Sequence, residues 1–159
     1  MEFEKQVCGL ELAKLLKELG VKQESLFYHV FNKAEWHKES IEESRRKYPE
    51  DTFDDPVDRW EIWPADADPF SLDTEFYAAF TVAEFGELLP DGVKISCTSP
   101  YEHEVIYTMK QYKDNKIYHV YLHHTSYCYY CSHEDTLEAN ARAKMLIYLI
   151  ENKLIEIKQ

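Results

Sequence analysis

Apolar positions recur at helical spacing near the start of the chain. Leu12, Leu15, Leu16 and Leu19 form one stripe and predict a helix over residues 9–19. Gly20 stands where a left-handed C-cap residue belongs, with Val21 placed to fold back onto Leu16. Residues 25–31, SLFYHVF, alternate: Leu26, Tyr28 and Val30 oppose Phe27, His29 and Phe31. That pattern predicts a strand with both faces covered. The pattern then stops. Residues 33–56 are polar and charged, with few apolar positions beyond Trp36, Ile41 and Phe53. Such a segment buries too little to offset its ordering entropy, which predicts a solvated helix and a loose loop outside the core. Alternation returns in VDRWEIW, residues 57–63, a strand ended by Pro64 and expected to pair with strand 25–31 as a hairpin.

The segment ADADPFSLDTE reads as a loop, and the next helix is marked by its start. Thr81 and Glu84 make a capping box, flanked by Phe80 and Phe85 as a hydrophobic staple. Leu88 and Leu89 end this helix before Pro90. Residues 93–98, 104–112 and 116–124 read as strands, the last two joined at Asp114-Asn115, and 125–134 reads as a loop. A final helix is predicted over 136–152, capped by Asp135 or Thr136. Ala139, Ala143, Leu146, Ile147 and Ile150 form its buried face, which Met145, Tyr148 and Leu149 widen. Leu154, Ile155 and Ile157 continue it as a short apolar tail.

These elements predict an α+β fold: a mostly antiparallel sheet of about five strands, with N-terminal, middle and C-terminal helices packed on it. The 159 residues suit a single domain over 1–159, carrying 33–56 as an acidic surface insert. With 45% hydrophobic and 14% aromatic residues, the chain holds enough apolar bulk for a packed core. The net charge of −12 is strongest in the middle, where 33–75 carries fourteen Asp/Glu against six Lys/Arg. A surface this acidic repels phosphate and disfavours nucleic acid as a partner. The opening MEFEKQVCGLELAKLL lacks the pattern of a signal peptide, and the longest apolar run, 145–150, is far too short to cross a membrane. The expected location is cytoplasmic, with the four cysteines as reduced thiols.

Three stretches carry a resemblance. LELAKLLKELGVKQESLFYHV, AAFTVAEFGELLPDGV and EANARAKMLIYLIENKLI resemble a widespread group of small uncharacterised phage and prophage proteins, many from Bacteroidetes hosts. The matching parts are residues 7–31, 75–93 and 136–155. The resemblance implies a mobile-element origin and a site of action inside the bacterial host. It implies no activity, and no functional residue carries over. The segments 33–56 and 123–133 depart from the group's pattern.

Candidate chemistry concentrates in HHTSYCYYCSH. His123, His124, Cys128, Cys131 and His133 could hold a tetrahedral zinc ion, since Cys-x-x-Cys places two thiolates on one metal and a following His can complete the set. No second half-site stands at finger spacing, and Cys8 and Cys97 are distant singles. The alternative is an aromatic loop over reduced thiols. A redox role is disfavoured because neither cysteine opens a helix. Gly-x-Ser-x-Gly, a phosphate-cradling Gly-rich loop and His-Glu-x-x-His are all absent from the sequence. In Glu102-His103-Glu104, strand alternation sends the His away from both acids.

Trp36, Trp60 and Trp63 sit in or beside the insert and, if exposed, mark an interaction patch. The sequence therefore favours a non-enzymatic phage or prophage accessory protein that binds a host or phage protein or a ligand. The alternatives are a metal-binding protein built on the 123–133 loop, with zinc as the candidate cofactor, and an acidic mimic of nucleic acid built on the carboxylates of 35–75.

Overall fold

The computed structural model describes residues 5–49, 57–67, 74–96, 104–114, 117–123 and 129–157. Helix α1 spans Leu10–Glu18. Its end is the predicted cap in full: Gly20 has φ 85°, its N–H donates to the Lys17 carbonyl, and the Val21 N–H donates to the Leu16 carbonyl at 2.9 Å. Strand β1, Phe27–Asn32, leads into helix α2, Glu35–Lys47, and returns as strand β2, Arg59–Pro64. The two strands pair antiparallel from Phe27↔Pro64 to Asn32↔Arg59, the hairpin expected from the sequence. Strand β3, Phe76–Ala78, pairs with the other edge of β1. Helix α3, Val82–Leu88, begins at Thr81, where both halves of the capping box are made and the Phe80 and Phe85 rings lie 5.6 Å apart.

Strands β4, Gly92–Ser96, β5, Glu104–Asp114, β6, Ile117–His123, and β7, Tyr129–Asp135, follow as an antiparallel meander. Helix α4, Glu138–Glu151, closes the order. The α+β class holds, but the single sheet of about five strands does not. The described strands form two sheets, one ordered β2-β1-β3 and the other β4-β5-β6-β7. Two strands account for the difference. β3 is only three residues long and leaves no periodicity, and β7 lies within the Tyr- and Cys-rich stretch that reads as a loop.

The two sheets meet different sides of α4, whose buried residues spread over more than one face. Ala139, Ala143, Leu146 and Ile147 pack into one core with Leu16, Tyr28, Val30, Phe80 and Phe85. Ala141, Met145 and Leu149 pack into a second with Val93 and Val120. Met145 and Leu149, expected to widen one face, thus belong to another. Asp135 does not cap α4 directly. Leu137 occupies the N-cap position, and Asp135 accepts the Leu137 N–H and the Asn140 side-chain N–H just before it.

The buried members of the first core all come from residues 7–31, 75–93 and 136–155, from Cys8 through Val30, Ala78 through Phe85, and Ala139 through Ile147. The described residues between β1 and β2, 33–49 and 57–58, stay outside it, and no residue of α2 is buried. Among the described residues, no helix is long and apolar enough to cross a membrane.

Candidate binding surface

The small sheet carries different chemistry on its two faces. Phe31 pairs directly with Trp60, and Tyr77 sits on the same face of β3. The Phe31 and Trp60 rings are 5.3 Å apart, and Trp60 and Tyr77 are 5.7 Å apart. All three are half-buried. Helix α1 lays two cations over them: Lys14 Nζ lies 5.4 Å from the Trp60 ring centre, and Lys17 Nζ lies 4.7 Å from that of Tyr77. Lys17 also donates to the Phe76 carbonyl at 3.3 Å. Cation–π contacts at partly exposed sites contribute about 0.5–1 kcal/mol each, so the rings and the ammonium groups order one another. Burial, with the Glu75 charge behind it, pushes the Tyr77 phenol up from its ordinary pKa.

On the opposite face, Glu61 collects donors from Asn32 Nδ2 at 2.9 Å, Trp63 Nε1 at 3.1 Å and Arg59 Nε. Burial opposes its charge, but these hydrogen bonds outweigh burial and hold the carboxyl below its usual range. Asn32 is buried, and its Oδ1 accepts from His37 Nε2 at 2.8 Å. The Ala34 N–H donates to Asp58 Oδ1 at 2.7 Å. The base of α2 is thus pinned to the hairpin while the helix beyond it stands free of the core. The helix is not itself acidic: Glu35, Glu39, Glu42 and Glu43 are balanced by Lys38, Arg45, Arg46 and Lys47. The surplus acid of 33–56 lies at 50–55, outside the described residues.

The three tryptophans do not form one patch. Trp60 belongs to the aromatic face. Trp63, three residues along the strand, turns to the opposite face and packs against the first core. Trp36 stands at the base of α2 beneath Lys33 Nζ, 5.7 Å from its ring centre. Sequence reasoning missed Phe31, Tyr77, Lys14 and Lys17 as parts of one surface. Their only signal was the spacing of two lysines beside the leucine stripe of α1.

His124 and Cys128 lie outside the described residues. The backbone of His123 pairs with Tyr129, and that of Cys131 with Leu122, next to an irregularity between Leu122 and His123. His133 pairs with Val120 and its ring lies 5.3 Å from that of Tyr148. His133 Nε2 is buried without a hydrogen-bond partner among the described residues, and burial, then the Lys144 charge, lowers its pKa. Among the described residues, no group of three or more His, Cys, Asp or Glu side chains is placed to hold a metal. His119, on the same sheet, lies between Asp114 at 2.8 Å and Glu134 at 3.4 Å. Cys8 is buried in the first core, and desolvation pushes its thiol up to about 12, which makes it a poor nucleophile.

No family model, curated protein or solved structure matches the chain.

Proposed function

We propose that this chain is a non-enzymatic accessory protein of a phage or prophage, acting by binding a protein partner through the β1–α2–β2 excursion and the aromatic face beside it. One observation carries the reading. A thirteen-residue helix with no buried residue is mounted on a fixed six-residue hairpin register, next to half-buried Phe31, Trp60 and Tyr77. Burying nothing, α2 adds little to the fold, and half-buried aromatics are the residues that anchor interfaces. The origin rests on the resemblance of residues 7–31, 75–93 and 136–155 alone.

The test is site-specific photo-crosslinking in infected host cells, with the reactive group at position 38 or 41 and a control at position 156. A single protein crosslinked from 38 and 41, and lost on Trp60→Ala, is expected. Equal labelling from the control position, or robust catalytic turnover abolished by a point substitution, would overturn the reading.

A second reading has its own observation. The orphaned His133 Nε2 lies two residues from Cys131, so a metal held by Cys128, Cys131, His133 and His123 or His124 would satisfy it. Elemental analysis of protein purified without chelator decides this, and absence of stoichiometric zinc or iron removes it.

A further inference from the structure

The sheet β2-β1-β3 has two outer edges, and the chain's own hydrogen bonds fix which backbone groups face out of each. The Phe31 N–H donates to the Glu75 carbonyl and the Ala79 N–H to the Phe27 carbonyl, so odd-numbered residues of β1 bond toward β3. The Ala65 N–H donates to the Leu26 carbonyl, which places residues 59, 61 and 63 of β2 in the bonded pairs with β1. Alternation then turns the backbone N–H and C=O groups of Phe76 and Ala78 out of β3, and those of Trp60 and Ile62 out of β2.

The β3 edge is closed by side chains. The Phe76 carbonyl accepts from Lys17 Nζ at 3.3 Å, and the Ala78 N–H donates to Gln23 Oε1 at 3.0 Å. Among the described residues, nothing does the same for Trp60 and Ile62. An edge with unpaired N–H and C=O groups is a template for another strand.

The charges of β2 select the strand that fits. Two copies of β2 paired antiparallel across a two-fold axis join outward-facing residues, so their registers differ in steps of two. In one register Trp60 stands opposite its counterpart in the second copy, and Ile62 stands opposite Asp58. Arg59 then lies directly opposite Glu61 of the second copy, twice over by symmetry. Sliding by two residues sets Glu61 against Glu61 in one direction and Arg59 against Arg59 in the other, and like charges directly opposite are destabilising. Arg59 is exposed and gives its Nε to its own Glu61, which leaves the two Nη groups to face a second carboxylate.

We propose that the chain forms a symmetric dimer through the outer edge of β2, with Trp60 against Trp60 and Arg59 against Glu61 across the axis. The two small sheets become one continuous sheet with three strands from each copy. This goes beyond the partner-binding reading and does not rest on it, because the purified chain alone decides it.

The test is sedimentation equilibrium of the purified full chain, with amide hydrogen exchange of the ¹⁵N-labelled protein at high and low concentration. A monomer–dimer equilibrium with a millimolar or tighter Kd is expected. The Trp60 and Ile62 amides should exchange more slowly as concentration rises, while those of 139–150 stay unchanged. Arg59→Glu places acid opposite acid and should weaken the dimer at least about tenfold, whereas Arg59→Lys keeps the sign of the charge and should preserve it. Ile62→Pro deletes an outward N–H that β1 does not use, and should also weaken the dimer about tenfold or more. Far-UV circular dichroism checks that each variant is folded, and the exposed position of Arg59 keeps that substitution clear of the core. A monomer at millimolar concentration, a dimer in which the Trp60 and Ile62 amides stay fast, or an affinity unchanged by Arg59→Glu would overturn the proposal.

Discussion

If α4 is a wall shared by two cores, shortening a side chain on either side of it should weaken the whole molecule. Leu149 is fully buried in the second core, and Ile147, nearly opposite it around the helix, is 7% exposed in the first. Substitution by Ala removes three carbons at each. At about 0.8 kcal/mol per buried carbon, the transfer loss is ~2.4 kcal/mol. The cavity left behind brings the expected cost to about 2–5 kcal/mol for Leu149→Ala and for Ile147→Ala. For a chain of this length, each kcal/mol lowers Tm by about 2–4 °C, so a fall of roughly 5–15 °C is expected. Calorimetry and urea unfolding, followed by far-UV and near-UV circular dichroism, provide the assay. Each variant should melt in one cooperative transition, because the helix that links the sheets is the element being weakened. A loss below about 0.5 kcal/mol at Leu149 would mean that the second sheet does not lean on α4. A transition that splits in two, with one half unmoved, would refute the shared wall.

Other expectations follow from single contacts. Thr81→Ala should cost about 0.5–2 kcal/mol by chemical denaturation, and Glu84→Ala should cost more, since Glu84 accepts both the Thr81 N–H at 2.7 Å and the Leu26 N–H at 2.9 Å. Lys153 has φ 56°, a left-handed conformation that favours glycine, so Lys153→Gly should stabilise the protein by about 0.5–1 kcal/mol in the same assay. Burial lowers the pKa of His29, despite the opposing contact of its Nε2 with the Cys8 carbonyl at 2.8 Å. The unfolded chain therefore binds the proton more readily, and stability should fall as pH drops below the ordinary value of 6.5. His29→Gln should flatten Tm between pH 7 and pH 5, and an unchanged slope would refute the assignment. Native Cys8 should resist thiol reagents and react only on unfolding, as mass spectrometry of alkylated peptides would record.

Much of the fold was legible because it is encoded locally. The leucine stripe, Gly20 and Val21 specify α1 and its end within twelve residues. Thr81 and Glu84 specify the start of α3, and the alternation of FYHVF and RWEIW specifies the β1–β2 hairpin. The poverty of apolar residues in 33–56 foretold a helix outside the core, since burial cannot be supplied by side chains that are absent.

Tertiary structure alone decided the rest. Sequence periodicity says that α4 is apolar, but not that its apolar positions serve two separate cores. β3 is too short to show a period, and its pairing exists only because β1 offers a free edge. The aromatic face joins residues 14, 17, 31, 60 and 77. It gathers side chains from distant segments, whose contact depends on strand order and helix packing. The tryptophans illustrate the limit. Trp60 and Trp63 look alike in sequence, but an odd spacing on a pleated strand sends one to the aromatic face and the other toward the core.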